Sequence, residues 1–238
     1  MNTSRDEIEE LISYYKEDKL IKYEMDGFMQ QVQKYFLEWP GFFVNSDSVI
    51  HSVKSRLKNP EHLRDKIKRK QAEGRIITLS NFREEITDLI GVRVLYLYQD
   101  QFRTIHNQIM YQIEERHEWK LVEPPKAYTW DPEAVEVYEK LGINHELKET
   151  FYTSVHYVIK PYNESEQSIC CEIQVRTLFE EIWGEIDHTI NYPYPTNSIA
   201  CKEQLKVLAK LISSGTRLSD SIFRSLQEYN VLQNRNDK

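Results

Sequence analysis

The chain has few of the residues on which several common sites depend. Its 238 residues include 7 glycines, which are too scattered to form a phosphate-binding glycine loop or a dinucleotide fingerprint. Its 3 cysteines, two of them adjacent at Cys170 and Cys171, form neither a disulfide framework nor a metal-ligand spacing. We therefore expect free thiols in a reducing cytoplasm, and side chains must hold any bound phosphates.

Other absences remove further classes of protein. No apolar run is long enough to span a bilayer, and the N-terminus lacks the apolar core of a signal peptide. There is no HExxH zinc-protease motif and no GxSxG nucleophile elbow. The net charge of −7 argues against a protein that coats nucleic acid, although a local basic pocket for phosphates is compatible with it. The remaining composition, 40% hydrophobic and 29% charged, is that of a globular protein.

Hydrophobic periodicity predicts strands separated by helices, with helices at both ends. The fold class is therefore α/β (α+β), a sheet flanked by helices. We divide the chain into N-terminal helices (1–45), a central domain (46–195) and C-terminal helices (196–238). The predicted strands are 48–58, 91–98, 119–122, 151–159 and 171–176, and the predicted helices are 4–38 in two parts, 60–75, 101–115, 177–190 and 199–233. Residues 123–149 are interpreted as a mobile connection with a short helix at 132–141.

Residues 151–188 carry the greatest concentration of chemically useful groups. Side chains alternate between the faces of a strand, so Tyr152, Ser154 and His156 should share one face, and Phe151, Val155, Tyr157 and Ile159 the other. On the next strand Glu172, Gln174 and Arg176 point together. In the helix that follows Thr177, Leu178, Ile182 and Ile186 are expected to face inward, with Glu181, Glu185 and His188 along a neighbouring stripe.

Positive charge is concentrated upstream of this region. Arg56 and Lys58 share a strand face with Lys54, and Lys66, Arg69 and Lys70 share a helix face. A solvated basic surface is one interpretation, and a site for the phosphates of a nucleotide is the other. Asp88, at the entry to a buried strand, and Glu172 are predicted to lie on adjacent sheet positions. Two carboxylates near one point favour Mg²⁺, and Tyr152 would supply a platform on which a base stacks.

Five motifs together resemble a known family. Arg56-x-Lys58 with Lys66, then TDLIGVRV, YTSVH, CEIQVRT and W-x-E-x-D-H occur in the order and spacing of the synthetase domain of RelA/SpoT proteins and of the small alarmone synthetases. The resemblance covers about residues 48–190. It implies a nucleotidyltransferase-like mixed sheet. It also implies an enzyme that moves the β,γ-pyrophosphate of ATP onto the 3′-hydroxyl of GDP or GTP, giving (p)ppGpp and AMP, with Mg²⁺ as cofactor.

The resemblance also implies a role for each matching residue. Arg56, Lys58 and Lys66 would hold the phosphates of ATP, and Asp88 and Glu172 would hold Mg²⁺ and carry the catalysis. Tyr152 would stack on the acceptor guanine, with His156 near the acceptor phosphates. Gln174, Arg176, Glu185 and His188 would line the acceptor side. No His-Asp pair of the family's hydrolase domain is present, so synthesis without degradation is expected.

The chain departs from the family pattern at three places. His62 stands where a serine is common, Phe151 stands where glycine usually precedes the stacking tyrosine, and residues 124–149 replace a shorter basic loop that helps to bind the acceptor. Relatives of this domain that act on tRNA 3′ ends or adenosine nucleotides are thus one alternative, and a silent nucleotide-binding module is another. The apolar stripe in 199–233 fits either a homo-oligomer or packing on the chain's own sheet.

Overall fold

The computed structural model describes residues 5–44, 46–162, 168–192 and 194–236. The helices are α1 (Arg5–Glu17), α2 (Lys19–Glu38), α3 (Pro60–Ala72), α4 (Phe82–Glu85), α5 (Gln101–Glu114), α6 (Pro132–Lys140), α7 (Leu178–Asn191) and α8 (Ile199–Asn236). The strands are β1 (Phe43–Val44), β2 (Asp47–Ser48), β3 (Ser52–Leu57), β4 (Ile90–Tyr96), β5 (Trp119–Leu121), β6 (Lys126–Thr129), β7 (Asn144–Leu147), β8 (Ser154–Pro161) and β9 (Cys171–Thr177).

A seven-stranded mixed sheet forms the centre of the molecule, which confirms the predicted fold class. Its order is β3-β4-β9-β8-β6-β7, and β5 pairs with β8 beside β6. The pairs β4–β9 and β6–β7 are parallel, and the other pairs are antiparallel. Apolar and polar side chains alternate along the central strands β4 and β9. One face of each strand can therefore be buried completely, while the other face carries the polar groups.

The main hydrophobic core lies on one face of this sheet. Val92 and Val94 of β4 and Ile173 and Val175 of β9 are fully buried there, together with residues of α1, α2, α3 and α5. The N-terminal helices therefore share the core of the sheet. Division of the chain at residues 46 and 195 stays a prediction. Among the described helices, none combines the length and the apolar composition that crossing a bilayer requires.

The segment 123–149 is not the mobile connection that its sequence predicts. It contributes β6 and β7 to the sheet on either side of the predicted helix, which is present as α6. β6 is only four residues long, yet Ala127 and Thr129 are fully buried on it. A strand this short does not show enough alternation to be distinguished from a polar loop.

Phe151 does not belong to the apolar face of β8, so its predicted position is wrong. The strand begins at Ser154, and Phe151 has a φ of 62°, in the left-handed region that favours glycine. This explains why glycine suits the position. The Phe151 ring instead packs edge to face with Trp130 at 5.1 Å, and both contact a second apolar cluster formed by Trp183, Ala209 and Ile212. Such packing offsets the cost of the backbone conformation.

The inward face of α7 also differs from the prediction. Ile182 and Ile186 are 47% and 38% exposed, whereas Glu181 is only 3% exposed. The reason is electrostatic, since the strands beneath α7 present cations that a buried carboxylate can satisfy. α8 is one helix, and its apolar stripe is divided: Leu205 and Ile212 are buried, while Leu211 and Leu218 are more than 60% exposed.

Candidate active site

The polar face of the sheet brings residues from distant parts of the sequence into register. Lys54 lies opposite Arg93, Arg93 beside Gln174, and Gln174 opposite His156. In the neighbouring row, Gly91 lies between Arg56 and Glu172. The strand order thus runs from the basic strand β3 through β4 to the carboxylate strand β9 and the histidine strand β8, so side chains from all four strands share one face.

A cavity of about 460 Å³ opens above this face. Of the predicted site residues, Arg56, Lys58, Asp88, Glu172 and Gln174 line it. The other lining side chains include Lys54, His62 and Arg93. The two carboxylates therefore line one space together with the cluster of cations, although Asp88 precedes β4 and does not occupy the predicted sheet position. His62, which occupies the position of the family's serine, is part of the wall.

Gly91 forms part of the floor of this cavity. The atoms nearest to a Cβ added at Gly91 belong to Arg56, at 3.8 Å and beyond, so the position has room above it. A glycine inside a strand often marks a place where another group approaches the backbone closely. Neither Gly91 nor Arg93 was among the site residues predicted from the sequence. The alternation in GVRV that places Arg93 two residues after Gly91 was the available signal.

Asp88 is held between two lysines. Lys58 Nζ donates to Asp88 Oδ2 at 2.7 Å, and Lys66 Nζ lies 2.8 Å from Asp88 Oδ1. Burial acts to raise the pKa of Asp88, but Lys66 and Lys58 outweigh it and the pKa is lowered. Tyr15 of α1 donates to the carbonyl of Lys58 at 2.6 Å, so the first helix anchors the end of the basic strand.

Glu172 is also held in its ionised form. Burial and the nearby Asp88 act to raise its pKa, and hydrogen bonds from His156 and Gln174 lower it by more. Gln174 Nε2 donates to Glu172 Oε2 at 2.7 Å, and His156 Nδ1 lies 3.3 Å from Glu172 Oε1. The other ring nitrogen of His156 lies 2.9 Å from the Tyr152 hydroxyl. Tyr152, His156 and Glu172 therefore form one hydrogen-bonded chain.

Arg176 lies at the buried end of the site. Its side chain is 3% exposed and pairs with Glu181, which is 4% exposed. Its guanidinium carbon is 5.8 Å from the centre of the Tyr152 ring. A Cβ added at Gly184 of α7 would lie 2.9 Å from Arg176 Nη1, so glycine is what lets α7 approach the guanidinium. Glu181 was not among the predicted site residues, because its burial depends on contacts with other strands.

The two remaining predicted residues lie on α7. Glu185 accepts a hydrogen bond from Arg93 at 2.7 Å, at the edge of the row of cations. His188 stacks on Tyr192 at 4.5 Å, and Tyr192 in turn meets the ring of His62 edge-on at 4.8 Å. His188 is thus linked to His62 of the cavity wall by the Tyr192 ring that lies between them.

The unexpected strands β6 and β7 add a basic cluster beside His156. Lys126 is paired with His156 across β6 and β8, and the Tyr128 ring lies 4.8 Å from the His156 ring. The ammonium groups of Lys126 and Lys148 lie 5.2 and 4.5 Å from the centre of the Tyr128 ring, and both lysines pair with Glu146. Lys126 on β6 and Lys148 directly after β7 therefore lie in the segment that replaces the family's shorter basic loop.

Comparisons with known proteins agree with this geometry. The family model described as "Region found in RelA / SpoT proteins" matches residues 55–197. GTP pyrophosphokinase YwaC of Bacillus subtilis is 24% identical over 194 residues, which are 80% of each chain. GTP pyrophosphokinase YjbM of the same organism is 25% identical over 183 residues, 76% of this chain and 74% of the relative.

Among solved structures, small alarmone synthetase 1 from Bacillus subtilis bound to its product pppGpp is similar at a TM-score of 0.63 and 21% identity, over 88% of this chain and 100% of the other. The same synthetase has been solved bound to AMPCPP. At this identity the likeness shows the fold. Because the family match covers more than half of the chain and includes the strands and helix that form the site, the protein belongs to the RelA/SpoT family.

Proposed function

We propose that the chain is a GTP pyrophosphokinase, which transfers pyrophosphate from ATP to the 3′-hydroxyl of GDP or GTP and releases AMP and (p)ppGpp. One observation carries the proposal: Asp88 and Glu172 line a single cavity together with Arg56 and Lys58. The activity named for the relatives YwaC and YjbM, and the nucleotides bound to small alarmone synthetase 1, support the same reaction. We place this activity in the cytoplasm.

The residues of the site supply positioning and charge. The 3′ oxygen of the acceptor attacks the β-phosphorus of ATP, the bond from that phosphorus to the α,β-bridging oxygen breaks, and AMP leaves with the bridging oxygen. Arg56, Lys58 and Lys66 hold the phosphates of ATP and balance their negative charge. Glu172, kept ionised by His156 and Gln174, accepts the hydrogen bond of the attacking hydroxyl and takes its proton.

The donor set suits Mg²⁺. Asp88 and Glu172 offer hard carboxylate oxygens, and such an ion typically takes one or two carboxylates and completes its shell with phosphate oxygens and water. Within the described residues no group of three or more His, Cys, Asp or Glu side chains is arranged to hold a metal, so substrate oxygens must supply the rest. When bound, Mg²⁺ would neutralise charge on the transferred phosphates. The lowered pKa of Asp88 keeps that ligand ionised.

Tyr152 and its neighbours provide the acceptor side. The Tyr152 ring presents an aromatic surface on which the guanine stacks, beside the guanidinium of Arg176. Its hydroxyl bonds to His156, so the base-stacking residue and the residue nearest the acceptor phosphates are positioned together. Gln174 and Glu185 complete this side, with His188 at the edge through Tyr192.

The deciding experiment is a labelled-transfer assay. ATP labelled in the γ-phosphate, Mg²⁺ and purified protein are incubated with GDP, GTP or tRNA, and we expect label on the guanosine nucleotides. Glu172→Gln should abolish transfer while the melting temperature stays that of a folded protein, and Glu136→Gln on exposed α6 should leave transfer unchanged. Label on tRNA and not on GDP or GTP would replace this proposal with the tRNA-modifying alternative.

A further inference from the structure

A second cavity, larger than the first, lies beside the segment 151–153, which contains Tyr152. Its volume is about 520 Å³, within the range of small-molecule sites, and it shares no lining residue with the first cavity. Its walls come from the start of α5, the β6–α6 region, the segment 151–153, the first turn of α7 and the middle of α8. Nothing in the proposed transfer reaction uses this space.

A buried hydroxyl that lines the cavity has no partner. Thr216 of α8 is 8% exposed, and within the described part of the chain its Oγ1 makes no hydrogen bond. A buried polar group without a partner is destabilising and is rare in native proteins. A ligand that donates to or accepts from this hydroxyl would remove that cost.

The other walls define the kind of ligand. Trp130, Phe151 and Trp183 give an aromatic surface, which apolar side chains of α6 and α8 extend. Two carboxyl groups, Glu180 and Asp220, also line the cavity, and burial raises the pKa of Glu180 to about 7 and raises that of Asp220. The combination of a flat apolar wall with hydroxyl and carboxyl acceptors fits a planar ring that carries N–H donors.

We propose that this cavity binds a small molecule bearing a nucleobase, with the ring against Trp130 and Phe151 and its N–H groups directed to Thr216, Glu180 and Asp220. Arg103, Arg217 and Arg224 line the same cavity from exposed positions. Arg217 pairs with Glu133 and Arg224 with Asp100, so two of these cations are paired with carboxylates that also line the cavity.

The segment 151–153 connects this cavity to the active site. Phe151 and Thr153 line the second cavity, and Tyr152 between them hydrogen-bonds to His156. Phe151 holds a left-handed backbone conformation, so a shift of its ring changes the backbone that presents Tyr152. An occupied cavity therefore fixes the stacking residue and changes the affinity for the acceptor. This consequence rests on the proposed function, whereas binding itself does not.

The test is titration calorimetry of the full chain with adenosine, guanosine, cytidine and uridine, which lack the phosphates that the first cavity needs. We expect at least one to bind once per chain. Val137→Trp, which fills the second cavity, should abolish binding, and Thr216→Val should weaken it about 3- to 10-fold. Tyr152 does not line the second cavity, so Tyr152→Ala, which removes the proposed acceptor platform, should retain binding.

Matched controls are Glu136→Trp on the same helix and Ser214→Ala on α8, neither of which lines the cavity. Loss of binding in Tyr152→Ala with retention in Val137→Trp would overturn the proposal, as would the absence of binding by all four nucleosides at about 1 mM. If Val137→Trp unfolds, Thr216→Val decides. In the transfer assay, the bound nucleoside should change the acceptor KM of the wild type and not that of Val137→Trp.

Discussion

His156 lies against the carboxylate of Glu172, with its Nδ1 3.3 Å from Oε1, while its Nε2 faces the Tyr152 hydroxyl at 2.9 Å. In the neutral ring with its proton on Nδ1, the tyrosine hydroxyl donates to Nε2, and Nδ1–H donates to the carboxylate. One imidazole thus orients Tyr152, the proposed stacking residue, and holds Glu172, the proposed acceptor of the hydroxyl proton.

Replacing His156 by alanine should move the acid limb of the pH–activity profile to higher pH. The hydrogen bond from His156 helps to lower the pKa of Glu172 against the effect of burial, so its loss lets that pKa rise. We expect the acid limb of the kcat/KM profile to move to higher pH, because Glu172 loses one charge-assisted hydrogen bond. His145→Ala, whose ring faces Glu139, is the control. A fall in rate with an unshifted limb would contradict the assignment.

Gly184→Ala should weaken acceptor binding. The added Cβ would lie 2.9 Å from Arg176 Nη1, so the guanidinium must move away from its position near Tyr152. We expect the acceptor KM to rise several-fold with little change in kcat. Gly27→Ala is the control, because nothing lies within 4 Å of a Cβ there and the position is inside α2. That variant should be more stable by about 0.5–1 kcal/mol in urea unfolding.

Glu181→Ala should cost far more stability than Glu185→Ala, although both residues lie on α7 and both pair with Arg93. Glu181 is 4% exposed and removing it leaves the buried Arg176 without its counter-charge, whereas Glu185 is 56% exposed. The expected losses are about 3–5 kcal/mol for a broken buried pair and below about 1 kcal/mol for an exposed one. Equal unfolding free energies for the two variants would refute the role of burial.

Glu180→Gln should change how stability depends on pH. Burial raises the pKa of Glu180 in the folded protein to about 7, above the ordinary value of 4.5. Between these values the folded state binds the extra proton, so this group lowers stability as pH rises from about 4.5 to about 7. Glutamine keeps the helix cap without titrating. Relative to Glu180→Gln, the wild type should therefore lose about 2–3 kcal/mol between pH 5 and pH 8 in urea unfolding. If the unfolding free energies of the two proteins depend on pH in the same way, this prediction is wrong.

The central strands and most helices follow from local sequence. The alternation of apolar and polar residues in β4 and β9 predicts both their burial and the shared face of Glu172, Gln174 and Arg176, because a strand has a period of two. Asn59-Pro60 correctly predicts the start of α3, since Asn59 caps the helix and proline fits its first turn.

What local sequence could not supply depends on partners elsewhere in the chain. Ile182 has the periodicity of a buried residue, yet the cations of β3, β4 and β9 draw Glu181 inward instead. Nothing in the local sequence distinguishes Lys126 and Lys148 from solvent-exposed lysines. The pairing of β6 with β8 brings Lys126 opposite His156, and Lys148 lies over the neighbouring Tyr128 ring. The roles of the predicted site residues stay predictions until the transfer assay is done.

The short strand β6 has a practical consequence for chimeric enzymes. Its backbone hydrogen-bonds to β8 at the level of His156, so excising residues 126–147 to imitate a shorter relative would strip an edge from the histidine-bearing strand. Any altered nucleotide preference in such a graft would then reflect a disturbed sheet as much as a missing loop. Point replacement of Lys126 or Lys148 separates the two effects, because it keeps the ladder intact.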